Sequence, residues 1–159
     1  MACLEQETGD LLRDKKLTLA IVESATGGLI SHLITNTPGS SDFFKGSVIA
    51  YSNEAKIRVV GVKEETIEIH GAVSNQVVEE MAQGGNKIFY TDICLADTGI
   101  AGPDGATQGK PVGLFYIGLS HKDETYSQKH FFKHNREQNK QEAARAAFVW
   151  LKEYLVNLK

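Results

Sequence analysis

A chain of 159 residues has room for one domain and not for two of ordinary size. Hydrophobic residues make up 42% and charged residues 23%, the formal net charge is −3, and no basic stretch could neutralise a run of phosphates. General nucleic-acid binding is therefore set aside. The two cysteines, Cys3 and Cys94, stand far apart without CxxC spacing, which fits a reduced compartment better than a disulfide framework. No apolar run approaches the ~20 residues of a membrane span, and Met1–Glu7 is acidic without the apolar core of a signal peptide. Residues 1–159 are thus expected to be a single cytoplasmic domain with neither membrane nor nucleic-acid partner.

Leu4 to Asp14 is polar with leucines at 4, 11 and 12 and predicts a short amphipathic helix. Leu17 to Val22 is continuously apolar and partly β-branched, as in a strand covered on both faces. It runs into Glu23-Ser24-Ala25-Thr26-Gly27-Gly28 and then into Leu29–Ile34, which has helical spacing. Pro38-Gly39-Ser40-Ser41 makes a turn, Ser47–Tyr51 a second strand, and Asn53–Lys56 the capped start of a helix. A helix beginning near Asn75 turns Val77, Val78 and Met81 to one face. Ile93–Ala96 predicts a third strand, ended by the glycine-rich Thr98–Gly105. Val112–Ser120 and Thr125–Phe132 are expected to form a hairpin, and Gln138–Leu158 a closing helix with Ala144, Ala147, Phe148, Leu151 and Leu155 inward. Alternating strands and helices followed by adjacent strands imply an α/β fold with a mixed sheet and helices on both faces.

In such sheets ligands bind outside the carboxyl ends of strands. That directs attention to three small-residue loops. The first offers Ser24, Thr26 and amides at a helix start, which favour anions; the second offers Ser40 and Ser41; the third offers Thr98 and the backbone from Gly99 to Gly105. Tyr51 and Lys56 lie nearby in sequence. A hydroxyl, a second hydroxyl and a buried neutral lysine are sufficient for amide hydrolysis, with backbone amides holding the oxyanion. Plainer roles compete: Ser24 and Thr26 as helix caps, Ser40 and Ser41 as turn residues, Lys56 as a solvated surface lysine and Tyr51 as a core or rim residue. The five histidines, His32, His70, His121, His130 and His134, include no HxH or HExxH spacing, so no metal site is expected.

The motifs at 23–28, 38–41, 51–56, 71–74, 98–105 and 110–113 stand in the order and spacing of the CinA C-terminal domain, which the chain resembles over nearly its whole length. The resemblance implies a three-layer α/β/α domain and a nicotinamide-nucleotide amidase, which hydrolyses nicotinamide mononucleotide to nicotinate mononucleotide and ammonia without a cofactor. It implies a serine, tyrosine and lysine set, here Ser24, Ser41, Tyr51 and Lys56. By analogy with serine-serine-lysine amidases, Ser41 is expected to attack while Ser24 and Lys56 relay its proton. Thr26, Gly27, Gly28, Gly99, Ile100, Ala101, Gly102, Lys110, Arg136 and Lys140 make up the expected substrate contacts. A homo-oligomer is a family-based expectation. The chain departs from the family pattern at Ala25, where cysteine is common, at Asp97, where a small apolar residue is usual, and at Asn135-Arg136 with Lys140, where the family often has an aspartate-arginine pair and a second arginine. Lysine at 140 replaces a planar two-pronged donor by a point charge, which leaves open a re-targeted or catalytically silent relative.

Overall fold

In the computed structural model, which describes residues 3–159, five strands form one sheet in the order β2-β1-β3-β4-β5. β1 (Leu19–Glu23) runs parallel to β2 (Phe44–Ile49) and to β3 (Ile93–Gly99). β4 (Leu114–His121) and β5 (Glu124–Phe131) follow antiparallel as a hairpin. Every residue of β1 is buried, as its unbroken apolar run requires, whereas β5 lies at the edge of the sheet and alternates between exposed and half-buried residues. The α/β fold with a mixed sheet is the one expected.

Helices cover both faces. α1 (Leu4–Asp14), α2 (Leu29–Thr35) and α6 (Arg136–Asn157) meet Leu19, Ile21, Ile93 and Leu95 on one side. α5 (Asn75–Phe89) meets Ala20, Val22, Cys94 and Ala96 on the other. Successive strand residues point to opposite faces, so Glu23 and Asp97 turn toward the α2 and α6 side, while Ser24 and Thr98 turn toward the α5 side. This alternation sorts the polar residues at the strand ends.

Most boundaries fall within two residues of expectation, and two strands differ by more. β2 starts at Phe44 rather than Ser47 and stops at Ile49, because Gly46 interrupts the apolar pattern while its backbone still pairs with Ala20. β3 continues through Thr98 and Gly99, which pair with Tyr116 and Phe115. The sequence pattern also omits α4 (Glu64–His70), a short helix with only Ile67 and Ile69 as apolar residues, and Ile69 is exposed. Between β2 and α4, α3 (Asn53–Ala55) is capped by the Ser52 hydroxyl and passes into a π-helical turn, Lys56–Val60.

That turn is pressed against α5. A Cβ on Gly84 would stand 2.1 Å from the Val60 carbonyl oxygen. Gly84→Ala is therefore expected to cost about 1–3 kcal/mol, as overpacking does. It should lower the midpoint of thermal unfolding by several degrees. An unchanged midpoint would mean that the turn yields freely.

Candidate active site

Ser24 leaves the end of β1 toward the α5 face, and the π turn brings Lys56 to meet it. Both side chains are buried, and Lys56 is only 2% exposed. Lys56 Nζ lies 2.9 Å from Ser24 Oγ, 3.0 Å from the Ala50 carbonyl oxygen and 3.5 Å from that of Tyr51. An ammonium would donate to all three; a neutral amine has two N–H groups for the carbonyls and one lone pair left for the serine hydroxyl proton. Burial lowers the Lys56 pKa from its ordinary range, partly opposed by the charge of Asp97. A serine hydroxyl facing a desolvated amine is the arrangement that activates a weak nucleophile.

The surrounding cleft holds about 310 Å³ and is lined by Ser24, Ala25, Lys56, the Ala72-Val73 turn, Gly99–Ala101 and Arg136, among others. That volume suits a small molecule. Thr98 Oγ1 donates to the Ala72 carbonyl at 2.8 Å and so fixes one wall to β3. Arg136, at the start of α6, donates to the Gly102 carbonyl at 2.7 Å and to Tyr51 Oη at 3.0 Å, bridging the mouth. Asp104 is the acidic side chain on the lining. Beside the serine, the Ala25 N–H makes no hydrogen bond among the described residues, whereas the Ser24 and Thr26 N–H groups are both taken by Asp97 at 3.1 Å. Of these three amides Ala25 N–H is thus the one left without a partner.

On the opposite side of the strand end, Glu23 accepts from Ile30 N at 2.8 Å, Ser31 N at 3.0 Å and Ser31 Oγ at 2.6 Å, capping α2. Ser24 and Thr26 are therefore not the caps of this helix. Nor does its first turn offer open amides for an anion, since Glu23 takes those of Ile30 and Ser31 and the Thr26 carbonyl takes that of Leu29.

Of the residues singled out in the sequence, Ser24, Tyr51, Lys56, Thr98, Gly99, Ile100, Ala101 and Arg136 line the cleft, with Asp104 and Gly105 from the same loop. Tyr51 sits at the rim, 60% exposed, with its hydroxyl on Arg136 and its carbonyl facing Lys56. Gly102 contributes a carbonyl that holds Arg136. Thr26 is buried behind the cleft, bonded to Glu23 and Asp97. Gly27 and Gly28 form the turn outside the lining; Lys140 Nζ would lie 3.6 Å from a Cβ on Gly27, away from the cleft. Lys110 donates to the His70 carbonyl and ties the long loop to the end of α4.

Ser41 is the correction. It lies in a 3₁₀ turn (Ser40–Asp42) ahead of β2, exposed and outside the cleft. Because β2 runs parallel to β1, with Phe44 beside Leu19 and Ile49 beside Glu23, the start of β2 lies at the opposite end of the sheet from Ser24. The two serines are separated by roughly 15–20 Å of strand. Ser41 cannot attack a group held at Lys56. Asn53, Ala72 and Val73 line the cleft beyond the expected contacts, although all three fall inside the motif blocks, and the buried Asp97 holds the serine turn.

Fold and site together define a three-layer α/β protein with a buried serine–lysine pair at the carboxyl ends of parallel strands. The chain belongs to the CinA C-terminal domain family, whose model matches residues 1–155. A CinA-like protein of Salinibacter ruber is 46% identical over 144 residues, covering 91% of this chain and 35% of that protein. The crystal structure of a competence-damaged protein (CinA) superfamily protein from Klebsiella pneumoniae superposes with a TM-score of 0.95 at 30% identity, over 98% of this chain and 97% of that one. The competence/damage inducible protein CihA of Agrobacterium tumefaciens gives 0.89 at 29% identity, over 99% and 98%. The chain spans between a third and two fifths of the length of the curated relatives it matches first. Among the described residues no helix is long and apolar enough to cross a membrane.

Proposed function

We propose that the chain hydrolyses the carboxamide of nicotinamide mononucleotide, releasing nicotinate mononucleotide and ammonia, with Ser24 as nucleophile. The observation that carries this reading is Lys56 Nζ, buried and 2.9 Å from Ser24 Oγ. Ser24 Oγ attacks the amide carbon as its proton passes to the Lys56 amine, and Ala25 N–H receives the oxyanion. Lys56 then returns the proton to the leaving nitrogen, so ammonia departs and a nicotinoyl ester remains on Ser24. Water, deprotonated by the same amine, attacks the ester; Lys56 returns that proton to Ser24 as the acid departs, and the acid gives its own proton to ammonia or water and leaves as the carboxylate. Atoms and charges balance with protein groups and water alone. The cationic ring makes the carbon more electrophilic, and Asp104 supplies negative charge on the lining.

In this reading Arg136 receives the phosphate, exchanging its present carbonyl and tyrosine partners for a charged one. Arg136→Ala is expected to raise KM for the nucleotide about tenfold with kcat little changed, as fits one charge-assisted contact. Lys140, outside the cleft lining, supports a second reading, an amidase for a substrate without phosphate. Ammonia release from nicotinamide mononucleotide, nicotinamide riboside and nicotinamide separates the two. The nucleotide should be strongly preferred, and equal turnover of the riboside would overturn the nucleotide assignment. No release from any of them would remove the amidase reading.

A further inference from the structure

Beneath the serine turn two carboxyl groups meet on one hydroxyl. Thr26 Oγ1 lies 2.6 Å from Glu23 Oε1 and 2.5 Å from Asp97 Oδ1, and all three residues are buried. A hydroxyl donates one proton only. It can donate to one carboxylate, and its short approach to the other needs a proton on that second carboxyl. Glu23 already accepts from two amides and a serine hydroxyl at the start of α2, one donor more than Asp97 has outside this contact. The extra proton therefore belongs on Asp97, which donates to Thr26 while Thr26 donates to Glu23. Burial pushes the Asp97 carboxyl up to about 6, with the Glu23 charge adding to the effect.

The same Asp97 accepts the Ser24 and Thr26 N–H groups and so holds the turn that carries the nucleophile. The groups facing it are few. Glu23 comes from β1; Lys56, across the strand end on the π turn, feels its charge; the β4 residue beside it in register is the apolar Ile117; α6 brings Lys140 only to the outer side of the turn, at Gly27. We propose that Asp97 is a positioning residue for the Ser24–Lys56 pair, gripping the serine turn from below and sharing one proton with Glu23 through Thr26. This buried couple sets the charge beneath the pair, and with it how firmly Lys56 holds a proton. The proposal rests on the serine–lysine reading of the site but not on the identity of the substrate.

Labelling of Ser24 by an alkyl fluorophosphonate, followed by mass spectrometry from pH 6 to 10, tests it without an amide substrate. The wild-type labelling rate should rise with pH along the Lys56 limb. Over most of this range Asp97 has given up its proton, so Asp97→Asn and Asp97→Ala remove a negative charge that helps Lys56 keep its own, and the limb should move to lower pH by about half a unit or more. Once Asp97 gives up its proton, the Thr26 hydroxyl can turn to its carboxylate; Thr26→Val removes that donor, keeps Asp97 protonated to higher pH, and should move the limb the same way. Thr26→Ser restores the hydroxyl and should return the wild-type profile, which loss of packing alone would not explain. If the Asp97 and Thr26→Val variants keep the wild-type limb and only lower the plateau, Asp97 is merely structural and the proposal falls. Ser24 labelling in a protein that releases no ammonia from nicotinamide mononucleotide would sink the substrate assignment and leave this proposal standing. No labelling at any pH would overturn the serine–lysine pair and the proposal with it.

Discussion

Ser24→Ala is expected to lower turnover of nicotinamide mononucleotide by a factor of roughly 10³ to 10⁶, the range for losing a covalent nucleophile. Ser41→Ala should stay within about twofold of wild type. The contrast follows from topology: Ser24 Oγ faces a buried amine, whereas Ser41 is exposed at the far end of the sheet. Ser24→Ala also removes the side-chain partner that Lys56 has among the described residues, so a modest stability change, about 1 kcal/mol, accompanies the loss. Steady-state ammonia release and thermal unfolding of both variants decide the matter. Retained turnover in Ser24→Ala would end the covalent mechanism, and a collapse in Ser41→Ala would mean that the long separation is bridged in some other form of the protein.

The Lys56 substitutions should separate chemistry from stability. Lys56→Met removes the base, with an expected loss in kcat of about 10² to 10⁴. Lys56→Arg should fail as badly, since a guanidinium stays protonated and cannot take the serine proton. In the wild type, kcat should rise with pH through the lowered pKa of Lys56, below the ordinary lysine range. Stability follows the same group. Its folded pKa lies below the unfolded value, so the folded state binds fewer protons between the two. The contribution is fully present above the unfolded pKa and is lost as pH falls through the folded one. Wild type should therefore lose stability relative to Lys56→Met as the solution is acidified. Denaturation midpoints of the two proteins that run parallel over the whole pH range would show that the amine is not desolvated.

Much of this architecture was legible because its signals are local. The run Leu17–Val22 identified a strand buried on both faces, the small residues after it a turn, and the Gly99–Gly105 stretch a wall of the cleft. Lys56 was harder, since a lysine near the start of a helix is ordinarily solvated; only the π turn against α5 shows that it is buried. Ser41 was misplaced although a usable signal existed. Pro38–Ser41 follows a helix and precedes a strand, which assigns it to the amino end of a parallel sheet, away from the ligand crevice. The Glu23, Thr26 and Asp97 cluster depends on two strands lying side by side, a relation that spacing along one chain does not display.

Glu23 and Ser24 are neighbours in sequence yet serve opposite faces of the sheet, one fastening α2 and the other meeting Lys56. Their division of labour is a matter of register. Because the strand repeat is two residues, inserting a single residue into β1 would exchange the faces of everything beyond it. A carboxylate would then stand where the hydroxyl had been, pairing with Lys56 and holding it charged, while α2 lost its anchor. The parity of a five-residue strand thus decides whether the lysine meets an alcohol it can deprotonate or an anion that disarms it.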